Sequence, residues 1–182
     1  EYSMRLLQMC EQMGANFQYA SSASVYGNTE KFNEEDNVSP QSPYAWSKYL
    51  FDRFVKEAGE FNILVQGFRY FNVYGPGEQN KGKMASVAFQ AFRLGKFELF
   101  PGTPRRDFVY IKDVVSATIH PLFNKIASGI YEVGSGDDRT FEDVLQIMGV
   151  KFTYKSELDV PKGYQYNTRA NKNQFMVRSE EH

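Results

Sequence analysis

Ile63-Leu64-Val65-Gln66-Gly67-Phe68-Arg69-Tyr70-Phe71-Asn72-Val73-Tyr74-Gly75-Pro76-Gly77 decides how this chain folds. Its first seven residues read as a strand, and their near-continuous apolar start suits a strand buried in a parallel sheet. From Phe71 to Gly77 turn formers dominate, and a loop is expected. Upstream, Phe17-Gln18-Tyr19-Ala20-Ser21 reads as another short buried strand. It runs into Ser22, Ala23, Ser24, Val25, Tyr26 and Gly27, small enough in part to let the backbone approach a neighbour closely. A polar, acidic loop over 28–41 and a helix separate the two strands. Ser42 caps that helix, Pro43 takes its first position, and it runs to about Gly59. Leu50, Phe51, Phe54, Val55 and Ala58 are its expected buried stripe. Before the first strand, Met4, Leu7 and Met13 lie near a helical repeat that Gly14 ends.

Downstream the alternation continues. Met84 to Leu94 reads as a helix, and Phe97–Phe100 and Phe108–Ile111 as strands around Gly102-Thr103-Pro104. Asp113 is a cap for a helix over Val114–Phe123, kinked or ended by Pro121. Ile130–Val133 is a strand, followed by Gly134-Ser135-Gly136, a helix over Phe141–Met148 and a strand over Phe152–Tyr154. Strands alternating with helices predict an α/β fold with a mostly parallel sheet. After Tyr164 the periodicity disappears, and 171–182 reads as a tail with no definite element.

Composition removes several functions. The 21 Lys and Arg residues against 22 Asp and Glu leave a formal charge of -1, so no general attraction to nucleic acid is expected. No run of eighteen apolar residues occurs, so no helical membrane span is expected. The lone Cys10 forms no internal disulfide and fits a reducing compartment, and with two histidines there is no histidine-rich zinc site. At 182 residues the chain suits one domain, or a large part of one.

Tyr44 and Lys48 stand one helical turn apart on one face. A phenol is a poor base at neutral pH, and a neighbouring ammonium favours its ionised form. The pair therefore suits proton transfer with a sugar or alcohol hydroxyl. Such spacing is common on exposed helices, so its surroundings decide its meaning. Ser21-Ser22 closes one strand and Asn72 follows the next, and in doubly wound sheets ligands bind beyond the carboxyl ends of strands. Arg106, just before a strand, is a candidate phosphate clamp.

Four segments occur in order: Ala20-Ser21-Ser22-Ala23-Ser24-Val25-Tyr26-Gly27, Tyr44-Ala45-Trp46-Ser47-Lys48, Arg69-Tyr70-Phe71-Asn72-Val73-Tyr74-Gly75-Pro76 and Arg106-Asp107-Phe108-Val109-Tyr110-Ile111-Lys112-Asp113-Val114. Together they resemble the extended short-chain dehydrogenase/reductase superfamily. The resemblance runs from near residue 1 to about Tyr164, and it matches the family's catalytic serine, tyrosine and lysine to Ser22, Tyr44 and Lys48. Where the dehydratases carry Asp-Glu this chain has Ala23-Ser24, which argues against dehydration. Asn80-Lys81-Gly82-Lys83-Met84-Ala85-Ser86-Val87-Ala88-Phe89 is similar to the signature of the ADP-L-glycero-D-manno-heptose 6-epimerases, in which the lysine at Lys81 is a second acid/base group.

The resemblance implies epimerisation at carbon six of an ADP-heptose by transient oxidation and re-reduction, with NADP, or NAD, as cofactor. Tyr44 and Lys81 would serve the oxygen in its two poses, while Tyr44, Lys48, Val73 and Lys81 would meet the cofactor. Asn72, Phe100, Pro101, Gly102, Thr103, Arg106 and Tyr164 match substrate-contacting positions. Lys83 and Gln90 match two more, but the family has serine and histidine there. Two alternatives stay open: another NAD(P)-dependent nucleotide-sugar epimerase or reductase, and a non-catalytic nucleotide-sugar binding module.

The resemblance further implies a Rossmann-like doubly wound sheet. Residues 1–75 would be its second half, and 76–170 a substrate-binding region mixed with returning strands. The N-terminal βαβ half is expected to be missing. Neither Gly134-Ser135-Gly136 nor Gly75-Pro76-Gly77 has the spacing of a phosphate-cradling turn, so the chain alone is expected to be inactive. A cytoplasmic homo-oligomer that needs no metal completes the expectation.

Overall fold

A computed structural model describes residues 1–28 and 38–171. The acidic loop expected over 28–41 falls mostly, and the tail expected over 171–182 almost wholly, outside the described residues. Helix α1 (Tyr2–Met13) ends where Gly14 turns left-handed at φ 65°, and strand β1 (Phe17–Ser22) follows. A single 3-10 turn, Ala23–Tyr26, leads away from the end of β1. Helix α2 (Pro43–Glu57) starts as its sequence demands, with the Ser42 hydroxyl accepting from the Ala45 N–H at 3.1 Å. Strand β2 (Val65–Tyr70) is buried along almost its whole length and pairs in parallel with β1 and with β6 (Gly129–Val133). The order β1-β2-β6 is the main parallel sheet.

The stretch expected to be a loop after Phe71 holds a three-residue strand, β3 (Asn72–Tyr74). It pairs in parallel with β5 (Arg105–Tyr110), whose start pairs antiparallel with β7 (Asp138–Thr140). Strands this short carry little local signal; their ladder partners, distant in sequence, define them. A third sheet joins β4 (Lys96–Leu99) in parallel to β8 (Lys151–Tyr154). The architecture is a Rossmann-like, mostly parallel α/β fold with small additional sheets.

Three helix readings need correction. Helix α3 (Val87–Leu94) begins after Met84, because Ser86 caps it by accepting from the Phe89 N–H at 3.1 Å; Met84 is 86% exposed. Helix α4 (Ile111–Phe123) begins two residues before Asp113, which lies in its first turn, and Pro121 sits inside the last turn. On α2 the expected stripe holds in part: Phe51, Phe54 and Val55 are partly buried against Leu7, Phe17, Ile63 and Val65. Leu50 and Ala58 are exposed, while Ala45 and Asp52 are the fully buried positions. Helix α5 (Phe141–Ile147) has the capping box that Thr140 and Asp143 allow.

The core divides by sheet. Val25, Tyr26, Phe68, Phe71, Val109 and Val133 pack beside the main sheet; Leu7, Phe17, Ile63 and Val65 pack under α1; and Ala91, Leu99, Phe141 and Leu145 join α3 to α5. The segment after Tyr164 has no repeat yet is well anchored. The Tyr166 carbonyl accepts from Arg105 at 2.7 Å, and the Ala170 N–H donates to Asp107 at 3.0 Å. Thr168 and Ala170 are buried there.

Candidate active site

The first cluster forms where β1 ends. Lys48 reaches from α2 to donate its Nζ to the Ala20 carbonyl at 2.9 Å, and the same ammonium lies 5.6 Å from the centre of the Tyr44 ring. Tyr44 is 56% exposed, so its phenol faces outward while its lysine is tied to the strand. Ser22 is the last residue of β1; its Oγ accepts from the Ser24 N–H at 3.2 Å, which leaves its O–H as a donor. Helix and strand thus bring Ser22, Tyr44 and Lys48 to one end of the sheet.

Beneath them runs a buried polar chain that the sequence did not disclose. Ser21 donates to Asp52 at 2.9 Å, and Arg69 pairs with the same carboxylate oxygen at 2.9 Å. Arg69 also donates to the Tyr26 hydroxyl at 3.0 Å, Tyr26 donates to Glu132, and Glu132 accepts from the Asn171 N–H at 2.7 Å. Burial raises the Tyr26 phenol and the Glu132 carboxyl above their ordinary ranges. Asp52 continues the four-residue spacing of Tyr44 and Lys48 along the helix face, a signal that was available.

The second cluster is the loop between β3 and α3. Lys81 is half exposed, with its Nζ 3.4 Å from the buried carboxylate of Glu78. Lys83 is exposed on the same 3-10 segment, Gln79–Met84. The Gln90 amide is engaged with its own loop, donating to the Ala85 carbonyl at 2.6 Å and to that of Lys83 at 3.3 Å. At the loop's start, Asn72 and Val73 are half-buried in β3, in register with Phe108 and Val109.

The third cluster is aromatic. The Arg106 guanidinium lies between the rings of Tyr164, at 5.3 Å, and Phe141, at 5.5 Å, and donates to the Gln165 carbonyl. Burial lowers its pKa from the usual guanidinium value. Phe100 meets Tyr164 edge to face at 5.0 Å, Tyr164 meets Tyr166 at 5.3 Å, and the Lys155 ammonium covers the Phe100 ring, 4.8 Å from its centre. Between Phe100 and Arg106 the chain turns through Pro101, Gly102 at φ 88° and Thr103 at φ 47°, the one non-glycine residue with positive φ among the described residues. A Cβ on Gly102 would come within 2.8 Å of the Tyr166 ring. Tyr166 and Lys155 escaped the sequence reading because neither stands in a motif. No hydrogen bond or ion pair among the described residues links the Tyr44, Lys81 and Arg106 side chains to one another.

Gly134-Ser135-Gly136 does enclose an anion, but it is the chain's own. Asp107 accepts from the Ser135 N–H at 2.6 Å, the Ser135 hydroxyl at 2.7 Å and the Gly136 N–H at 2.8 Å. This turn holds a carboxylate where a phosphate turn would present open donors. No helix of the described residues is long and apolar enough to cross a membrane.

Comparison with known proteins places this geometry in a family. The chain is 46% identical over 156 residues to the ADP-L-glycero-D-manno-heptose-6-epimerase of Thiobacillus denitrificans, covering 79% of this chain and 47% of the relative. The chain thus spans about half the length of the curated relatives it matches. Among solved structures, the Helicobacter pylori ADP-L-glycero-D-manno-heptose-6-epimerase superposes with a TM-score of 0.74 at 37% identity, covering 83% of this chain and 51% of that one. The Thermus thermophilus UDP-glucose 4-epimerase complex with NAD gives 0.65 at 29% identity, covering 84% and 54%. The profile of the NAD dependent epimerase/dehydratase family matches residues 1–134. With the strand-end serine, the tyrosine–lysine pair and the parallel sheet already in place, the chain belongs to the NAD-dependent epimerase/dehydratase family.

Proposed function

We propose that the whole protein epimerises carbon six of ADP-glycero-manno-heptose, working as a cytoplasmic homo-oligomer with NADP. What carries this reading is the joint placement of Ser22, Tyr44 and Lys48 at the end of β1, in a chain 46% identical to a heptose epimerase. The residues fit the nicotinamide end of the cofactor. Lys48 is fixed by the Ala20 carbonyl with its remaining N–H groups able to meet ribose hydroxyls, and Tyr44 is exposed beside it. Lys48, Tyr44 and Val73 would hold that end, and Gly134–Gly136, filled by Asp107, would not hold its phosphates. When bound, the cofactor supplies the redox step, accepting a hydride from carbon six and returning it to the opposite face.

Each side chain then has a task. Tyr44 takes the hydroxyl proton in one pose, and the Ser22 O–H donates to the same oxygen. Lys48 keeps the phenol and the strand end in register. Lys81 serves the oxygen in the second pose, since two separated acid/base groups suit one oxygen that must be approached from two sides. Arg106, braced by Tyr164 and Phe141, meets the diphosphate, and Phe100, Pro101, Gly102, Thr103 and Asn72 wall the nucleotide sugar. Lys83 and Gln90, where the family resemblance implies serine and histidine, tune the choice of sugar.

The deciding experiment incubates the full-length protein, loaded with NADP, with ADP-D-glycero-D-manno-heptose and follows the carbon-six proton by NMR. Conversion to the L-glycero epimer, lost in Tyr44→Phe, supports the reading. Epimerisation of a different nucleotide sugar alone would move the assignment to another epimerase. Tight binding with no turnover would make this a binding module.

A further inference from the structure

Glu78 is a carboxylate that the reaction scheme leaves without a task, and it is 4% exposed inside an otherwise open loop. Four donors surround it. Oε1 accepts from the Gly75 N–H at 3.3 Å and the Ser86 hydroxyl at 2.7 Å. Oε2 accepts from the Ser86 N–H at 2.7 Å and the Lys81 ammonium at 3.4 Å. All four come from residues 75–86, so this one side chain ties both ends of the loop together. Ser86 in turn caps α3, which seats the carboxylate beside a helix N-terminus.

We propose that Glu78 is the positioning residue for Lys81: its buried carboxylate closes the loop and holds the Lys81 ammonium at the loop's rim. The inference rests on reading Lys81 as the second acid/base group. The backbone agrees with it. The Lys81 N–H donates to the Glu78 carbonyl at 3.0 Å, and immediately afterwards Gly82, at φ 54° and ψ -125°, breaks the 3-10 turn. Lys81 therefore emerges at a fixed bend. Its long side chain is half exposed, and an exposed lysine loses little by wandering. A buried, fully hydrogen-bonded anion at its side restricts that freedom. A glutamine cannot do the same: with one acceptor oxygen, its amide NH₂ would confront either the Gly75 N–H or the Ser86 N–H together with the ammonium.

The test uses the full-length protein and the epimerase assay, with Glu78→Gln, Glu78→Asp, Lys81→Met and the double variant Glu78→Gln/Lys81→Met. Misplacing a proton-transfer group costs on the order of 10–100-fold in rate. We expect Glu78→Gln to lower kcat by that factor with KM within about twofold, and Glu78→Asp to fall between it and wild type. In the Lys81→Met background, single-turnover time courses should show no further loss from Glu78→Gln, because a residue acting through another has nothing left to position. A folded Glu78→Gln with unchanged kcat would overturn the inference. So would an equal loss in both backgrounds, which would make Glu78 a support of the loop alone. If Glu78→Gln does not fold, Glu78→Asp carries the same comparison. If Lys81→Met keeps full activity while Tyr44→Phe loses it, the role of Lys81 falls, and this inference with it, but the epimerase reading stands.

Discussion

Asp52 on α2 and Arg69 on β2 form a buried ion pair, 2.9 Å from Oδ2 to Nε, with side chains 1% and 7% exposed. The pair joins the helix carrying Tyr44 and Lys48 to the central strand of the main sheet. Ser21, next to Ser22, donates to the same carboxylate oxygen. Removing Asp52 leaves a guanidinium buried against a phenol with its anion gone, a change that costs about 3–5 kcal/mol in comparable cases. Asp52→Ala should lose that much in urea unfolding, and Asp52→Asn, which keeps the shape, should lose less. A loss below about 1 kcal/mol from Asp52→Ala would mean that water or Glu132 replaces the missing charge.

Tyr44→Phe should separate chemistry from folding. The ring is 56% exposed, and its described contact is the face it presents to Lys48, which phenylalanine keeps. Stability should therefore change by less than about 0.5 kcal/mol. Turnover by the full-length protein should fall by about 10²–10⁴-fold, as expected when a positioned acid/base group is lost. Lys48→Met should cost both turnover and cofactor affinity, since Lys48 also fixes the end of β1. Equal losses of stability and rate in Tyr44→Phe would point to a structural phenol.

Gly67, in the middle of β2, has a packing reason to be glycine. A Cβ there would lie 2.4 Å from the Cζ of Tyr19, whose ring crosses Phe51 edge to face at 4.7 Å. Alanine usually stabilises a strand relative to glycine. Here the sign should reverse, with Gly67→Ala destabilising by about 1–3 kcal/mol through overpacking. Adding Tyr19→Val should recover part of the loss, and denaturation of the single and double variants measures it. Additive losses would place the strain elsewhere.

The parts of the fold and site that were legible follow a physical division. The Ser42-Pro43 start of α2, the Gly14 stop of α1 and the apolar run of β2 are local signals, and each produced the element it specifies. Hydropathy failed where burial is polar. Asp52 reads as a surface charge, yet it is the buried centre of α2 because Arg69 and Ser21 meet it across a long sequence separation. Glu78 stayed hidden for the same reason, its partners lying at both ends of a loop. The strands β3 and β7 escaped because three residues have no period to detect. Gly134-Ser135-Gly136 reads as a turn without the spacing to cradle a phosphate, and only the fold shows that it holds the carboxylate of Asp107.

Glu132 should give the stability a measurable dependence on pH. Burial raises its carboxyl pKa in the folded protein, against the opposing effects of the Tyr26 and Asn171 hydrogen bonds and the Arg69 charge. The folded state therefore retains this proton at pH values where the unfolded chain, with an ordinary glutamate near 4.3, has released it. Fewer protons bound to the unfolded state mean that stability falls as pH rises through that window. The contribution of Glu132 is thus fully present below the unfolded pKa and declines up to the raised folded value. Glu132→Gln keeps an oxygen to accept from Tyr26 and removes the titration. The difference in unfolding free energy between wild type and Glu132→Gln should therefore shift against wild type between about pH 4 and the folded pKa, then become level. Parallel urea titrations across that range test this. A difference that moves in favour of wild type as pH rises would show that the Arg69 charge outweighs burial and holds Glu132 ionised in the fold.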